Sequence, residues 1–252
     1  MELKDKVAIV TGGGRGIGRG IVDRFLEEGA KVAIVQRTGV DDQLLNNPHV
    51  LTIKTDLADT SAYPSVTEQV HRHFGGINIL VNNAGLMFER SLEELTEEEW
   101  ERMVSLNLKA PLFLGKAVLP YLRQRGGGSI INIGSIEGIG VNPQHTVYST
   151  TKAGLHGMTR ALAVDLGPEN IRCNAIAPGW ISTDLSQEYL DSMPDPGRAR
   201  ENLASIHPIR RVGEVTDVGD LAVFLASKRS GFITGEVMVV DGGRTVQLSL
   251  PK

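Results

Sequence analysis

The sequence predicts a doubly wound α/β fold: a single domain over residues 1–252, built on a seven-stranded parallel sheet with helices on both faces. Three observations predict it. Seven short apolar runs, rich in Val and Ile, show little polar alternation, as strands buried on both faces do. Stretches with helical spacing lie between the runs, and strand–helix alternation from end to end gives a doubly wound sheet. At 252 residues, 41% hydrophobic and 22% charged, the chain is long enough for one large packed core.

In chain order the predicted strands are Val7–Val10, Val32–Val35, Val50–Ile53, Ile77–Val81, Ile130–Ile133, Cys173–Ile176 and Val237–Val240. The first helix runs over Ile17–Glu28, with Ile21, Phe25 and Leu26 on one face and Gly29 as its stop. Thr96-Glu97-Glu98-Glu99 is a capping box, in which hydroxyl and carboxylate satisfy two orphan amides. It opens a long helix predicted to reach about Arg125. Further helices are predicted over about Val147–Leu166 and Val215–Ala226. The least regular stretch is Trp180–Arg211, with prolines at 194 and 196. It is too long for an ordinary connection; a substrate lid and a plain surface insertion both account for it.

Composition narrows the function. The net charge is −4, which argues against nucleic acid as a partner, because phosphate binding needs clustered Lys and Arg. Cys173 is the only cysteine, so an intramolecular disulfide and a cysteine-built zinc site are excluded, and the reducing cytoplasm is the simplest compartment. The opening Met1–Lys6 has no apolar core of a secretory signal, and no segment approaches the ~20 apolar residues of a membrane span. His71 and His73 are two apart on a helical pattern and make a poor metal pair; no metal site is expected. The 29 glycines exceed the usual ~7% and must serve turns and close backbone approaches.

Five of them lie in Thr11-Gly12-Gly13-Gly14-Arg15-Gly16-Ile17-Gly18, between the first strand and the first helix. That is the context of a dinucleotide site: glycines let the backbone approach a pyrophosphate, and the helix N-terminus offers amides and positive potential. The strict G-x-G-x-x-G spacing is absent; the pattern is T-G-x-x-x-G-x-G on Thr11, Gly12, Gly16 and Gly18. An NAD site usually has an acid at the end of the second strand, on the ribose 2′-hydroxyl. Here Gln36 stands there, followed by Arg37, whose planar fork suits a 2′-phosphate. With Arg15 as a second cation, this favours NADP and leaves NAD open.

Tyr148 and Lys152 are spaced i, i+4 and share a helix face. An adjacent ammonium stabilises a tyrosinate, and such a Tyr can pass a proton to or from an alcohol oxygen. Taken alone, the pair is also an ordinary surface feature. Ser135 follows the strand Ile130–Ile133, at the carboxyl edge where open α/β sheets bind ligands. Cys173, on a predicted strand, reads as a buried hydrophobe.

With these residues in place, the chain resembles the short-chain dehydrogenase/reductases, in their single-domain Rossmann-like branch. The resemblance covers about Lys6–Gly243 and rests on motifs in order: Thr11–Gly18, Asp56-Leu57, Asn82-Asn83-Ala84-Gly85, Asn107, Ser135, Tyr148-Ser149-Thr150-Thr151-Lys152, Pro178-Gly179, Ile181-Ser182-Thr183, Phe232-Ile233-Thr234-Gly235 and Val240-Asp241-Gly242-Gly243. It implies roles. Tyr148 would be the general acid/base, and Lys152 would hold the nicotinamide ribose and depress the Tyr148 pKa. Ser135 would orient the substrate oxygen, and Asn107 would anchor a water linking Lys152 to solvent. Asp56 and Leu57 would flank the adenine; Asn83, Ala84 and Gly85 would line the cofactor cleft. Pro178, Gly179, Ile181 and Thr183 would lie along the nicotinamide, with hydride leaving its B face. The resemblance also implies a homotetramer, built on the helices that carry Asn107 and Tyr148.

The reaction so implied interconverts a secondary alcohol and a ketone, or a hemiacetal and a lactone. Glu137, Asn142, His145, Trp180 and Leu185 are the candidate substrate contacts. Three polar groups between Ser135 and Tyr148 suit a sugar, polyol or other hydroxylated substrate, unless they face solvent; Trp180 fits a pocket wall or packing beneath a lid. A 3-ketoacyl thioester reductase is the alternative. It is weakened because Asn82–Gly85 continues as Leu86-Met87-Phe88-Glu89, where those enzymes usually have Ile-Thr-Arg-Asp. A catalytically idle nucleotide sensor on the same scaffold is the other, and a nucleotide-sugar epimerase would need a larger second domain.

Overall fold

The computed structural model describes residues 1–248. Its sheet contains β1 (Val7–Thr11), β2 (Lys31–Gln36), β3 (Val50–Lys54), β4 (Ile79–Asn82), β5 (Gly128–Ile133), β6 (Ile171–Pro178) and β7 (Val237–Val240). All neighbours pair in parallel, in the order β3-β2-β1-β4-β5-β6-β7. Each strand lies on one of the seven apolar runs. The helices are α1 (Gly16–Glu27), α2 (Asp42–Leu45), α3 (Tyr63–Phe74), α4 (Glu97–Val104), α5 (Ala110–Gln124), α6 (Thr146–Leu166), α7 (Asp184–Asp191), α8 (Pro196–Ser205) and α9 (Val215–Ala226).

The pleat sends alternate residues of β1 to opposite cores. Ala8 and Val10 pack with Ile21, Val22 and Phe25 of α1 and Val218 and Ala222 of α9. Val7 and Ile9 pack with Val66 and Val70 of α3, Leu114 and Val118 of α5 and Ala163 of α6. The strand order reverses between β1 and β4, which opens a crevice beyond their carboxyl ends.

Two predicted elements differ in detail. The helix opened by Thr96 does carry its capping box, but it does not run evenly to Arg125. A π-helical turn over Ser105–Lys109 separates α4 from α5. Pro111 explains it: proline supplies no N–H to the Asn107 carbonyl four residues back, so the regular ladder cannot close there. The stretch 180–211 is more regular than its composition suggests. It folds as α7, capped by Thr183, and α8, capped by Asp195 with Pro196 in its first turn. Its ends are tied together where Ile181 bridges Gly213: the Ser182 amide donates to the Gly213 carbonyl at 2.7 Å, and the Gly213 amide to the Trp180 carbonyl at 3.0 Å.

Candidate active site

The glycine loop is shaped by contacts that exclude side chains. Gly12 sits at φ +63°, and a Cβ on Gly18 would lie 2.1 Å from the Gly12 carbonyl oxygen. Asn83 fastens this loop to β4: its side-chain amide donates to the Thr11 and Gly12 carbonyls at 2.9 and 3.1 Å. The Thr11 hydroxyl in turn accepts the Asn83 and Ala84 amides. Gly16, at φ +56°, faces Thr183, whose Cγ2 is 3.4 Å from the position of a Cβ there. A cradle is thereby left between the start of α1 and the start of α7, of the kind a pyrophosphate fits.

Gln36 is spent on bracing this loop. Its Oε1 accepts the Gly14 amide at 2.8 Å, and its Nε2 donates to the Thr38 and Gly39 carbonyls at 3.2 and 2.9 Å. Arg15 and Arg37 are exposed on either side of it. Leu57 departs from its expected place beside a base. Its side chain is buried in the core and the Tyr63 hydroxyl donates to its carbonyl, while Asp56 beside it is exposed, its Oδ1 accepting the Ala58 amide at 2.9 Å. Gly179 must remain small, because a Cβ would meet that of Asp241 at 2.8 Å. The Ile181 side chain is buried in the core that α1 and α9 share.

At the other end of the crevice, α6 brings Tyr148 and Lys152 beneath the loop that follows β5. Ser135 caps a 3₁₀ turn over Ile136–Gly138, its hydroxyl accepting the Glu137 amide at 3.1 Å. The same hydroxyl lies beside the Tyr148 phenol and acts to lower its pKa. Lys152 is buried, with Nζ donating to the Ile133 carbonyl at 2.8 Å and lying 5.5 Å from the centre of the Tyr148 ring. Burial pushes the Lys152 pKa down to about 8. The expected lowering of Tyr148 is reversed in the chain by itself. Desolvation pushes its phenol up to about 12, the neighbouring Ser135 hydroxyl acts to lower it, and the Glu137 carboxylate raises it. The physical reason is burial of the phenol itself, which disfavours the tyrosinate, with the Glu137 carboxylate adding to it.

Asn107 is buried in the π turn. Its Oδ1 accepts the Leu86 amide at 2.9 Å, and its Nδ2 donates to the Leu86 carbonyl at 2.8 Å and to Thr151 Oγ1 at 3.3 Å. Its side chain therefore reaches the residue before Lys152, not Lys152 itself. Gly85 leaves room for it, with 3.2 Å between its Cβ position and Asn107 Oδ1.

The three polar candidates between Ser135 and Tyr148 form one cluster. Glu137 Oε1 accepts Asn142 Nδ2 at 3.0 Å, while Oε2 lies 2.6 Å from His145 Nδ1 and 3.4 Å from Ser149 Oγ. His145 Nε2 is 3.4 Å from Glu89. The His145 ring meets that of Tyr148 edge-on, with centroids 6.1 Å apart. Glu137 and His145 are largely buried and Asn142 is exposed. Trp180 packs against Tyr189 of α7, with centroids 5.8 Å apart, and Leu185 is exposed.

Sequence reasoning missed a buried amide ladder beneath the site. Asn82 Nδ2 donates to Asn132 Oδ1 at 2.8 Å, and Asn132 Nδ2 donates to Thr159 Oγ1 at 2.9 Å. The signal was available: Asn132 interrupts an otherwise apolar strand and is directly opposite Asn82 in the register.

A family model described as enoyl-(acyl carrier protein) reductase matches residues 12–245. The chain belongs to the short-chain dehydrogenase/reductase family. Among family members it is 35% identical to 3-oxoacyl-[acyl-carrier-protein] reductase FabG of Thermotoga maritima, over 98% of this chain and 100% of that one. It is 36% identical to the probable galactose dehydrogenase GalD of Rhizobium meliloti, over 96% of both chains. The structure of aldohexose dehydrogenase from Thermoplasma acidophilum superposes with a TM-score of 0.90 at 32% identity, covering 99% of this chain and 98% of that one. Family membership makes the protein an NAD(P)-dependent oxidoreductase acting on CH–OH groups of small molecules, in a family whose members commonly form oligomers. Among the described residues no helix is long and apolar enough to cross a membrane.

Proposed function

We propose that the protein interconverts a secondary alcohol of a sugar, polyol or cyclic alcohol with the corresponding ketone, or a sugar hemiacetal with its lactone, using NADP(H). The observation that carries this is the convergence of Ser135, Tyr148 and Lys152 at the carboxyl edge of β5. The glycine cradle fits a dinucleotide, and the nicotinamide supplies or accepts the hydride when bound. Every other task falls to the chain. Gly12, Gly16, Ile17 and Gly18 turn backbone toward the pyrophosphate. Asp56, with the backbone of Leu57, borders the adenine, while Asn83, Ala84, Gly85, Pro178, Gly179, Ile181 and Thr183 line the cleft.

Ser135 holds the substrate oxygen while Tyr148 donates a proton to it in reduction and removes one in oxidation. Lys152 holds the ribose hydroxyls, and an ammonium drawn from Ile133 toward Tyr148 stabilises the tyrosinate. Asn107 fixes the helix turn behind them and is the anchor of the proton path to solvent. Arg37 and Arg15 read the 2′-phosphate; Gln36, already bonded to Gly14, adds no carboxylate to repel it.

The Glu137–His145–Asn142 cluster supports a hydroxylated substrate, since a site built of hydrogen-bonding groups rejects apolar analogues. GalD and the aldohexose dehydrogenase point the same way by name. Glu89 and Glu137 oppose an anionic acyl-carrier thioester. Segment 180–211 serves as the lid, with Trp180 at its base. Exposed Trp100, Leu112, Phe113 and Val164 on α4, α5 and α6 provide apolar cover for a homotetramer, and the lone buried thiol Cys173 suits the cytoplasm.

The test is turnover at 340 nm with both cofactors over aldohexoses, polyols, cyclic alcohols, steroids and a ketoacyl thioester. Oxidation of a sugar or polyol supports the reading; a preference for the thioester replaces it with the reductase. NADPH binding without turnover of any compound would establish the sensor. A monomer in sedimentation at micromolar protein would remove the tetramer.

A further inference from the structure

His156 lies one helical turn beyond Lys152 and two beyond Tyr148, on the same side of α6. It is 4% exposed and fills the hollow under the turn that carries Ser135 and Glu137. Two glycines bracket that turn, and both rest on the imidazole. A Cβ on Gly134 would sit 2.3 Å from His156 Nε2, and one on Gly138 would sit 2.5 Å from Cε1. The imidazole lies against the Gly138 backbone, and Nε2 is buried with no partner among the described residues.

Leaving a buried nitrogen unpaired is unfavourable. An aliphatic side chain would avoid that cost, so the imidazole calls for a reason of shape. A branched side chain is thicker than a ring, and it would lift the backbone at Gly134 and Gly138, where there is no clearance. Charge is not the reason. Burial, with Lys152 and Arg160 nearby, pushes His156 down to about 4, so it stays neutral beside Lys152 at ordinary pH.

We propose that His156 is a positioning residue for Ser135: its flat ring is the surface on which the Gly134–Gly138 backbone lies, and this sets the Ser135 hydroxyl against the Tyr148 phenol. The inference rests on the reading of Ser135 and Tyr148 given above. His156 touches neither the reacting atoms nor the cofactor cradle, so its effect runs through Ser135.

The test compares wild type with His156→Leu, Gly134→Ala and the double variant Gly134→Ala/His156→Ala. The probe is D-galactose oxidation with NADP⁺, and NADPH affinity is read by nicotinamide fluorescence. His156→Leu should lower kcat/KM at least 10-fold, mainly through kcat, with the NADPH Kd within twofold of wild type. Gly134→Ala should lose activity comparably, because its methyl overlaps the ring. The double variant should recover at least fivefold over Gly134→Ala, a non-additivity expected only of parts in contact. The inference is overturned if His156→Leu stays within twofold of wild type, if NADPH affinity falls as much as kcat/KM, or if the double variant gains nothing.

If wild type does not oxidise D-galactose, that sugar drops out of the proposed function and the inference is read from the ¹³Cζ resonance of Tyr148 at pH 8. His156→Leu and Ser135→Ala should then shift it in the same direction, and their combination no further. A Tyr148 signal unmoved by His156→Leu overturns the inference in that arm.

Discussion

Around β5 and α6 the functional side chains are enclosed and fastened: Asn107 to the Leu86 backbone, Lys152 to the Ile133 carbonyl, and Asn132 to the side chains of Asn82 and Thr159. Between β6 and α9 the chain passes through two helices that bury little: Leu190 is the buried residue of α7, and α8 has none. Ile181 anchors the start of this second region in the core, and the two helices are joined to each other by peripheral polar contacts such as the Arg200–Asp191 pair. The difference separates two tasks. Proton transfer needs a fixed geometry in a dry setting, and a segment that admits substrates must open at low cost. On the proposed function, the chemical step belongs to the floor, while the roof governs entry to the Glu137–His145–Asn142 cluster that would select the substrate.

The most severe challenge to that division is Tyr148→Phe. Removing the phenolic oxygen should lower kcat/KM by about 10³-fold, in the range of lost general acid/base catalysis. NADPH affinity should stay near wild type, as fluorescence titration would show. A comparable loss from any single change in α7 or α8 would erase the distinction between floor and roof.

Lys152→Met should separate activity from stability. Lys152 titrates near 8 in the folded chain against 10.5 in the unfolded one. The unfolded state thus binds more protons between those values, stability rises with pH across that window, and the full penalty applies below it. At pH 7 the methionine variant should be inactive yet more stable by about 3 kcal/mol, less the lost Ile133 hydrogen bond. Denaturant melts at pH 7 and pH 10 measure this, and the gain should shrink at the higher pH. Asn132→Ala should have the opposite effect, leaving Asn82 and Thr159 short of partners and costing about 2 kcal/mol.

These residues also mark how far sequence carries. The seven strands were legible because a two-face-buried strand must be uniformly apolar. The glycine loop, Ser135, Tyr148 and Lys152 were legible because they stand at fixed distances along elements that were themselves legible. The π turn at Asn107 was written in Pro111, a signal local enough to read but hidden inside a strong helical pattern. The orientation of Lys152 was not legible, because it depends on which carbonyl the ammonium meets, and Ile133 is far away in the chain; nor was the high pKa of Tyr148, which follows from how deeply the fold buries the phenol. The helices of 180–211 were obscured because their surfaces are polar, so no apolar period announces them. The caps Thr183 and Asp195 were their only local marks.

At the adenosine end the comparison is sharpened by Arg37→Asp. The site there is exposed, so the change should leave stability nearly unaltered. It should shift the NADP/NAD ratio of kcat/KM by about tenfold or more, equivalent to ~1.4 kcal/mol of differential binding. An unchanged ratio would assign phosphate recognition to Arg15 or to backbone, and would show that Gln36 tolerates both cofactors.

The smallest effect is expected where the roof begins. The Thr183 hydroxyl accepts the Ser186 amide at 3.2 Å, and the Ser186 hydroxyl returns a hydrogen bond from the Thr183 amide at 2.8 Å. Thr183→Ala removes half of this box, a loss of about 1 kcal/mol for a helix cap. Because Leu190 is the one buried residue of α7, that loss should loosen α7 locally and leave the global midpoint of unfolding nearly unchanged. Hydrogen exchange should speed up over 184–191 by about fivefold, as expected for ~1 kcal/mol of local opening, while α6 keeps its protection. Substrate and cofactor KM should both rise more than kcat falls, since Thr183 lines the proposed cofactor cleft while Ser135, Tyr148 and Lys152 are untouched. Faster exchange in α6 as well would mean that roof and floor open together, and the lid would then be part of the core it covers.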